Sequence, residues 1–322
     1  MIEYTLISIK NNDKEGRLKM STTDELEDHN STDISEDAIW EQYPKILDFL
    51  LIDRTKTTPR KIKNIIWANE NYVKFGSAAY APTSEMKREL ITGAMGKIIK
   101  PRALKSTETQ KKRTKDKAEV FTPTWIVKLQ NDEVDKNYAQ DDLETYVGRK
   151  WLEITCGEAP YMATRYDMET GQIISLDERV GFVDRKLRRI NSEIDDKAEW
   201  QRLVENAYKS SYGFEWSGDS LFLARENLLY TYRDFYFDKW SEEPLAGLFE
   251  DIAKIISYNV FQMDGLKYII PLSEKRELVT TVQLSLFEDE ESVEQWIIKP
   301  GKRVKIMNWE LDKMEFFDKG VK

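Results

Sequence analysis

A loop of small residues and two later carboxylates are the residues whose types and spacing suggest chemistry. The loop is Glu153-Ile-Thr-Cys156-Gly157-Glu-Ala159-Pro, and it follows the apolar residues 151–152. Glu215 closes Tyr-Gly-Phe-Glu, and Asp264 follows the largely apolar run 255–263. Backbone N–H groups in a tight loop that opens a helix can hold a nucleotide-like ligand, and a carboxylate at a strand end can accept hydrogen bonds from ribose hydroxyls. The pattern predicts a nucleotide-like cofactor site.

The ribose-binding acid has two candidates. Glu215 lies 58 residues after Gly157, whereas dinucleotide-binding proteins place this acid about 20 residues on. Asp184, in Val-Gly-Phe-Val-Asp, lies 27 residues after Gly157 and closer to that spacing. Glu215 is favoured because a suitable helix pattern follows it, and Asp184 is expected to end an inserted strand. At Ala159 a methyl group is tolerable if φ is negative and costly otherwise.

Parallel strands that end near Glu153, Glu215 and Asp264 would bring these groups to one edge of a sheet. We therefore expect a three-layer α/β core over residues 119–270. Residues 1–38 are polar, and residues 39–118 predict an N-terminal domain of mixed structure that ends in a basic stretch. Residues 271–322 form a β-rich tail with strand-like runs at 278–287, 293–298 and 304–309.

The basic stretch, residues 97–117, carries nine Lys and Arg against Glu108 and Asp116 in a chain of net charge −9. Local excess of this kind suits phosphate contacts, so the stretch predicts a surface for double-stranded DNA. Its expected DNA-binding residues are Lys111, Lys112, Arg113, Lys115 and Lys117.

Composition narrows the class of protein. The chain has 322 residues, 40% of them hydrophobic, which suffices for a packed core. One cysteine and one histidine exclude a disulfide framework and make a Cys/His zinc site untenable, so no metal is expected. No apolar run approaches the roughly 20 residues of a membrane span, and no signal peptide opens the chain, so a cytoplasmic location is expected.

In this order the segments resemble the adenine-specific DNA methyltransferases that serve as modification subunits of restriction-modification systems. The resemblance covers residues 97–270 and implies a Rossmann-like fold that binds S-adenosyl-L-methionine. It implies that an aromatic residue of Phe121-Thr122-Pro123 packs on the cofactor and that Glu153 contacts its methionine end. It also implies that Asp264 accepts a hydrogen bond from the amino group of its adenine, and that Cys156, Gly157 and Ala159 belong to its binding loop.

The chain departs from that family where the chemistry is done. Family members carry Asn-Pro-Pro-Tyr or a close variant, but none of the nine prolines here adjoins another. The resemblance therefore implies an incomplete core. Three functions stay open: a subunit that needs a partner chain for catalysis, a catalytically inactive DNA-binding or assembly module, and a nuclease or hydrolase built on residues 39–118. For the third function the candidates are Asp53, Glu85 and Lys87, which have the residue types of a metal-dependent nuclease core.

Overall fold

The structure is a computed structural model that describes residues 34–105, 122–283 and 291–320. Within them three short parallel strands form the central sheet in the order β1 (Trp151–Glu153), β2 (Ser211–Glu215) and β3 (Val260–Gln262). Trp151 is aligned with Ser211, and Gly213 with Val260. The chain is thus mixed α/β, and the prediction of parallel strands that end near Glu153, Glu215 and Asp264 is confirmed.

Helices connect the strands in sequence. The described α-helices are α1 (Glu36–Gln42), α2 (Pro44–Leu51), α3 (Thr124–Asp135), α4 (Leu143–Gly148), α5 (Phe182–Glu193), α6 (Lys197–Lys209), α7 (Gly218–Trp240), α8 (Ala246–Asn259) and α9 (Phe317–Gly320). Short 3-10 turns lie at Val73–Phe75, Arg88–Leu90, Gly93–Met95, Arg102–Leu104 and Lys136–Tyr138. Helices α5 and α6 join β1 to β2, and α7 and α8 join β2 to β3.

Capping residues set several helix starts. Asp196 precedes α6 and accepts a hydrogen bond from the Glu199 N–H, and Asp142 does the same for α4 through Thr145. Helix α7 is the central helix, and nearly every residue of its first four turns is buried. Its first residue, Gly218, must be glycine, because a Cβ there would lie 2.1 Å from the carbonyl oxygen of Ile66.

One hydrophobic cluster runs through the helical side of the fold. It contains Leu47, Leu50 and Trp67 from the N-terminal part together with residues of α5 to α8. Arg225 of α7 is fully buried and donates to the carbonyls of Leu50, Ile52 and Val260. The N-terminal residues are therefore packed into the same core as the sheet.

The opposite face of the sheet has a smaller cover. Phe214 and Phe261 contact Val304 and Phe317 in a second cluster of six buried side chains. Val304 and Phe317 flank the antiparallel pair β6 (Lys305–Asn308) and β7 (Lys313–Phe316). A second pair, β4 (Lys275–Gln283) and β5 (Glu291–Lys299), is also antiparallel. The tail is β-rich as expected. It covers this face of the sheet, where the predicted three-layer α/β core would have had helices.

Candidate functional site

The three predicted carboxylates gather at one edge of the sheet. Glu153 is the last residue of β1, Glu215 the last of β2, and Asp264 follows β3 by two residues. Because the strands are parallel and in register, these positions share the carboxyl edge, where open α/β sheets bind ligands. The sequence located this edge correctly.

The loop after β1 has an unusual backbone. Thr155, Gly157 and Ala159 have φ values of 48°, 56° and 63°. Only glycine adopts this left-handed region without cost, and other residues lose about 1–2 kcal/mol there. Ala159 is fully buried, and its φ is positive. The sequence made the methyl group tolerable only at negative φ, so the backbone conformation of Ala159 is costly. The loop is therefore held in shape by contacts made elsewhere.

Glu153 is one source of that shape. Its carboxylate accepts hydrogen bonds from the N–H groups of Tyr161 at 3.2 Å and Met162 at 3.0 Å. Its side chain is only 7% exposed, and burial raises its pKa to about 8, with the charge of Glu215 acting in the same direction. Glu153 therefore fixes the far end of the loop, and its contact with a cofactor stays a prediction.

Glu215 binds the near end of the loop. Its Oε2 accepts a hydrogen bond from the Gly157 N–H at 2.9 Å, and its Oε1 accepts one from the Ser217 N–H at 3.0 Å. Burial raises its pKa, while these backbone donors lower it. Each carboxylate oxygen has a second lone pair, so hydroxyl groups of a ligand could still donate to Glu215.

Asp264 organises the turn after β3. Its Oδ1 accepts hydrogen bonds from the N–H groups of Leu266 at 2.9 Å and Lys267 at 3.2 Å. Gly265 packs against the Phe214 ring, where a Cβ would come within 2.7 Å. The Asp-Gly pair thus forms the turn that the sequence predicts, beside the central strand.

Sequence reasoning missed the apolar side chains at this edge. Ile154 follows Glu153 and is 50% exposed, Trp216 follows Glu215 and is 36% exposed, and Leu266 lies two residues after Asp264 and is 92% exposed. The Trp216 indole is anchored through a hydrogen bond from its N–H to the Ala68 carbonyl. Each apolar residue follows one of the carboxylates by one or two positions, and this spacing in the sequence could have revealed them. The carboxylates of this edge can therefore accept hydrogen bonds from the rim of a bound ring, and the apolar side chains can contact its flat face.

Two further buried acids lie behind the edge. Glu158 accepts hydrogen bonds from the Arg102 N–H and the Tyr166 hydroxyl, and Asp219 accepts them from Asn69 and the Tyr72 hydroxyl. Burial raises the pKa of Glu158, the charge of Lys105 lowers it, and the charge of Asp219 raises it. Despite this density of acids, no three Asp, Glu, His or Cys side chains among the described residues are placed to hold a metal ion.

Of the remaining predicted cofactor residues, three lie among the described residues and one does not. Cys156 is buried, its N–H donates to the Phe214 carbonyl, and burial raises the pKa of its thiol, so it is a packing residue in this loop. Pro123 immediately precedes α3. Burial raises the pKa of the Tyr161 hydroxyl and a hydrogen bond with Thr122 lowers it, so Thr122 lies beside the loop. Phe121 lies outside the described residues.

The alternative ribose acid has a structural role. Asp184 was expected to end a strand, but it lies in the first turn of α5. It is fully buried, and its Oδ2 accepts hydrogen bonds from the N–H groups of Gly181 and Thr164. It caps a helix and is not at the end of a strand of the sheet. That expectation was wrong because a short apolar run is compatible with a strand and with a buried helix.

Two other predicted groups either have local partners or lie outside the described residues. Asp53 accepts hydrogen bonds from the N–H groups of Thr55 and Lys56 in its own turn, and Glu85 forms an ion pair with Lys63. The expected DNA-binding residues lie outside the described residues, namely Lys111, Lys112, Arg113, Lys115 and Lys117.

Asn259 begins Asn259-Val-Phe-Gln262, the segment nearest to the missing tetrapeptide, although it contains no proline and precedes Asp264. Asn259 is fully buried as the last residue of α8, directly before β3 and at the opposite end of the sheet from Glu215. Its side chain donates to the carbonyls of Tyr208 and Ser211 and accepts from the Trp309 indole. Asn259 is therefore a structural residue.

Comparison with known proteins adds no relative. None of the described helices is both long and apolar enough to cross a bilayer. No protein family, no curated protein and no solved structure matches this chain.

Proposed function

We propose that this chain is the cofactor-binding part of an adenine-specific DNA methyltransferase of a restriction-modification system, and that it needs a partner chain for catalysis. The observation that carries the proposal is the bond from the Gly157 N–H to Glu215. It joins the loop after β1 to the acid at the end of the central strand, with the Asp264 turn following the next strand. These are the positions that the resemblance assigns to S-adenosyl-L-methionine.

The chemistry of the edge suits that cofactor. Glu215 would accept the ribose hydroxyls, and Asp264 would accept the amino group of the adenine. Trp216 and Leu266 are exposed beside these acids and would contact the faces of the adenine ring. When bound, the cofactor supplies an electrophilic methyl group, and this chain's own residues would hold and orient it.

The edge of β1 supports the need for a partner. The Trp151 N–H donates to the Ser210 carbonyl, so the backbone groups of Trp151 point towards β2 and those of Leu152 point away from it. Among the described residues no strand pairs with that outer side of β1. A strand added there would end beside Glu153 and the Gly157 loop. A partner chain could thus place its catalytic tetrapeptide next to the cofactor edge.

The start of the basic stretch lies against the same loop. The Arg102 N–H donates to the Glu158 carboxylate at 2.8 Å, and the charge of Lys105 acts on that carboxylate. The chain continues from this point to Lys111, Lys112 and Arg113, which lie outside the described residues. DNA held by the basic stretch would consequently lie near the cofactor edge, as methyl transfer requires.

Titration calorimetry with S-adenosyl-L-methionine tests cofactor binding. We expect micromolar to millimolar affinity, on the order of −4 to −8 kcal/mol. Changing Glu215→Ala should weaken binding by about 1–3 kcal/mol, because the charge-assisted bonds to the ribose are lost. Glu215→Gln can still accept from one backbone donor and should give a smaller loss. Glu169→Ala, an exposed glutamate elsewhere, is the matched control and should bind as the wild type does.

One observation favours a second function, a catalytically inactive module derived from a methyltransferase. Both Glu215 oxygens already accept hydrogen bonds from backbone N–H groups. Ala159 has a strained, positive φ that a glycine would adopt without strain. In such a module the bonds between the loop and Glu215 would leave no place for the cofactor. Absence of heat at millimolar S-adenosyl-L-methionine, with folding verified by circular dichroism, would decide for this function.

DNA binding has its own test. Affinity for duplex DNA should fall steeply with salt, because phosphate contacts release counterions. Neutralising Lys111, Lys112 and Arg113 together should reduce the slope of log K against log salt by about 2–3, if each contacts one phosphate. The control neutralises Arg60, Lys61 and Lys74, which are exposed elsewhere. Equal slopes in the test variant and the wild type would place the DNA surface elsewhere.

A further inference from the structure

A small cavity lies between the N-terminal part of the fold and the central helix α7. It measures about 60 Å³, and its lining comes from α1, from residues 99–104, from the turn at 165–173 and from α7. Ile173 of this lining is 69% exposed, so the cavity reaches the protein surface. One water molecule takes roughly 10–15 Å³ of such space, so the cavity has room for a ligand group of about four to six heavy atoms.

Two carboxyl groups make the wall of this cavity acidic. Glu36, the first residue of α1, is 7% exposed, and Glu226 of α7 is also buried. Burial raises the pKa of Glu36 to about 7, its own backbone N–H lowers the pKa, and the charge of Asp37 raises it. No Lys or Arg among the described residues forms an ion pair with Glu36. Because a buried carboxylate is costly until a cation meets it, a positively charged ligand would be stabilised here.

The other lining groups fit the same kind of ligand. Arg165 lines the cavity, but its Nε lies 3.0 Å from the carboxylate of Asp234, which Arg179 also contacts at 2.8 Å. An anion would be repelled by the two carboxylates of the wall. Much of the remaining wall is apolar and would contact an alkyl chain, namely Ile99, Pro101, Leu104 and Leu223.

We propose that this cavity binds a small organic cation, an alkylguanidinium or alkylammonium, with its charge against Glu36 and its alkyl part against the apolar wall. The site lies directly behind the loop after β1. The Tyr166 hydroxyl donates to the Glu158 carboxylate, and the Asn227 amide donates to the Glu158 carbonyl and to the Tyr166 hydroxyl. A bound cation would therefore contact the side chains that hold this loop, whether or not the chain binds S-adenosyl-L-methionine.

Saturation-transfer NMR on the purified full chain tests the charge of the ligand. The probes are ethylguanidinium and ethylurea, its neutral isostere, at about pH 8.5, where Glu36 is ionised. We expect ethylguanidinium to bind with a Kd in the millimolar range or tighter, and ethylurea to bind at least about tenfold more weakly. No binding of ethylguanidinium at about 20 mM, or equal binding of the two probes, would overturn the proposal.

A third probe, N-acetylarginine amide, distinguishes two sources of the same cation. If it displaces ethylguanidinium, the site also accepts an arginine side chain of a partner protein. If it does not, the site is confined to free small cations, and in both cases the binding of a cation is supported.

The variant Glu36→Gln tests where the cation lies. Glutamine keeps the size of the side chain and is neutral, as the protonated carboxyl of Glu36 is, so the variant should fold, which urea unfolding verifies. It should bind ethylguanidinium about tenfold or more weakly, because the charge-assisted bonds are lost. Glu41→Gln, which changes an exposed glutamate of the same helix, is the matched control and should bind as the wild type does. A Glu36→Gln variant that binds as tightly as the wild type would show that the ligand lies elsewhere and that the proposal is wrong.

Discussion

Purified alone, the chain should transfer no methyl group to DNA in an assay with tritiated S-adenosyl-L-methionine. Amino methylation requires a residue that accepts a hydrogen bond from the target amine and an aromatic platform under the flipped base. The chain has no adjacent prolines, and Asn259 is buried at the wrong end of the sheet. Flipping a base costs a few kcal/mol that these missing contacts must offset.

Adding a partner chain that bears Asn-Pro-Pro-Tyr should restore transfer by several orders of magnitude over the background if the enzyme is split. The matched control is the same partner with the asparagine of that tetrapeptide changed to alanine, which should associate without restoring transfer. Activity that remains absent with the intact partner would favour the inactive module. Robust methylation by the isolated chain would contradict the prediction and require an acceptor at a position not identified by its sequence.

Stability should fall as pH rises from about 4.5 to about 8, and Glu153 should be a main cause. Burial raises its pKa from 4.5 to about 8. Within this window the folded chain binds more protons than the unfolded chain, so the protonated state stabilises the fold and the stabilisation is lost as the proton leaves. The shift corresponds to at most about 5 kcal/mol at full ionisation.

Urea unfolding at several pH values measures this slope. The variant Glu153→Gln should lose much of it, although its amide N–H₂ cannot accept from the second backbone donor and should cost about 1–3 kcal/mol at low pH. Glu36, whose pKa burial raises to about 7, adds to the wild-type slope and should remain in the variant. Glu169→Gln serves as the exposed control. A Glu153→Gln slope equal to that of the wild type would show that Glu153 is ionised in the folded chain throughout this range.

The sequence predicted the arrangement of the sheet better than its surroundings. Apolar runs that end in an acid located β1 and β2 to within a residue or two, because a parallel strand buried on both faces leaves that pattern. The strand-like runs of the tail also correspond to β4, β5 and β6. The strand Lys313–Phe316 was missed because four residues with two charges carry too little periodicity.

Long-range contacts could not be predicted in the same way. Gln262 binds both the N–H and the carbonyl of Ile66 through its side-chain amide, a pairing across 196 residues that no local pattern encodes. The roles of Glu158 and Asp219 depend equally on partners brought in by the fold. The sequence therefore identified the edge and its acids, but not the contacts by which Glu153 and Glu215 hold the loop.

The order of the strands has a genetic consequence. The sheet runs β1, β2, β3 in space and in sequence, so the three loops at its carboxyl edge are encoded consecutively within residues 153–266. A break in the reading frame after β3, or a recombination event at that point, would leave these loops encoded but would remove Val304 and Phe317, which pack against Phe214 and Phe261 of the sheet. Since residues 39–99 pack on the other side of the sheet, the unit that must be inherited together includes the N-terminal part, the three-strand sheet and the tail residues that cover it.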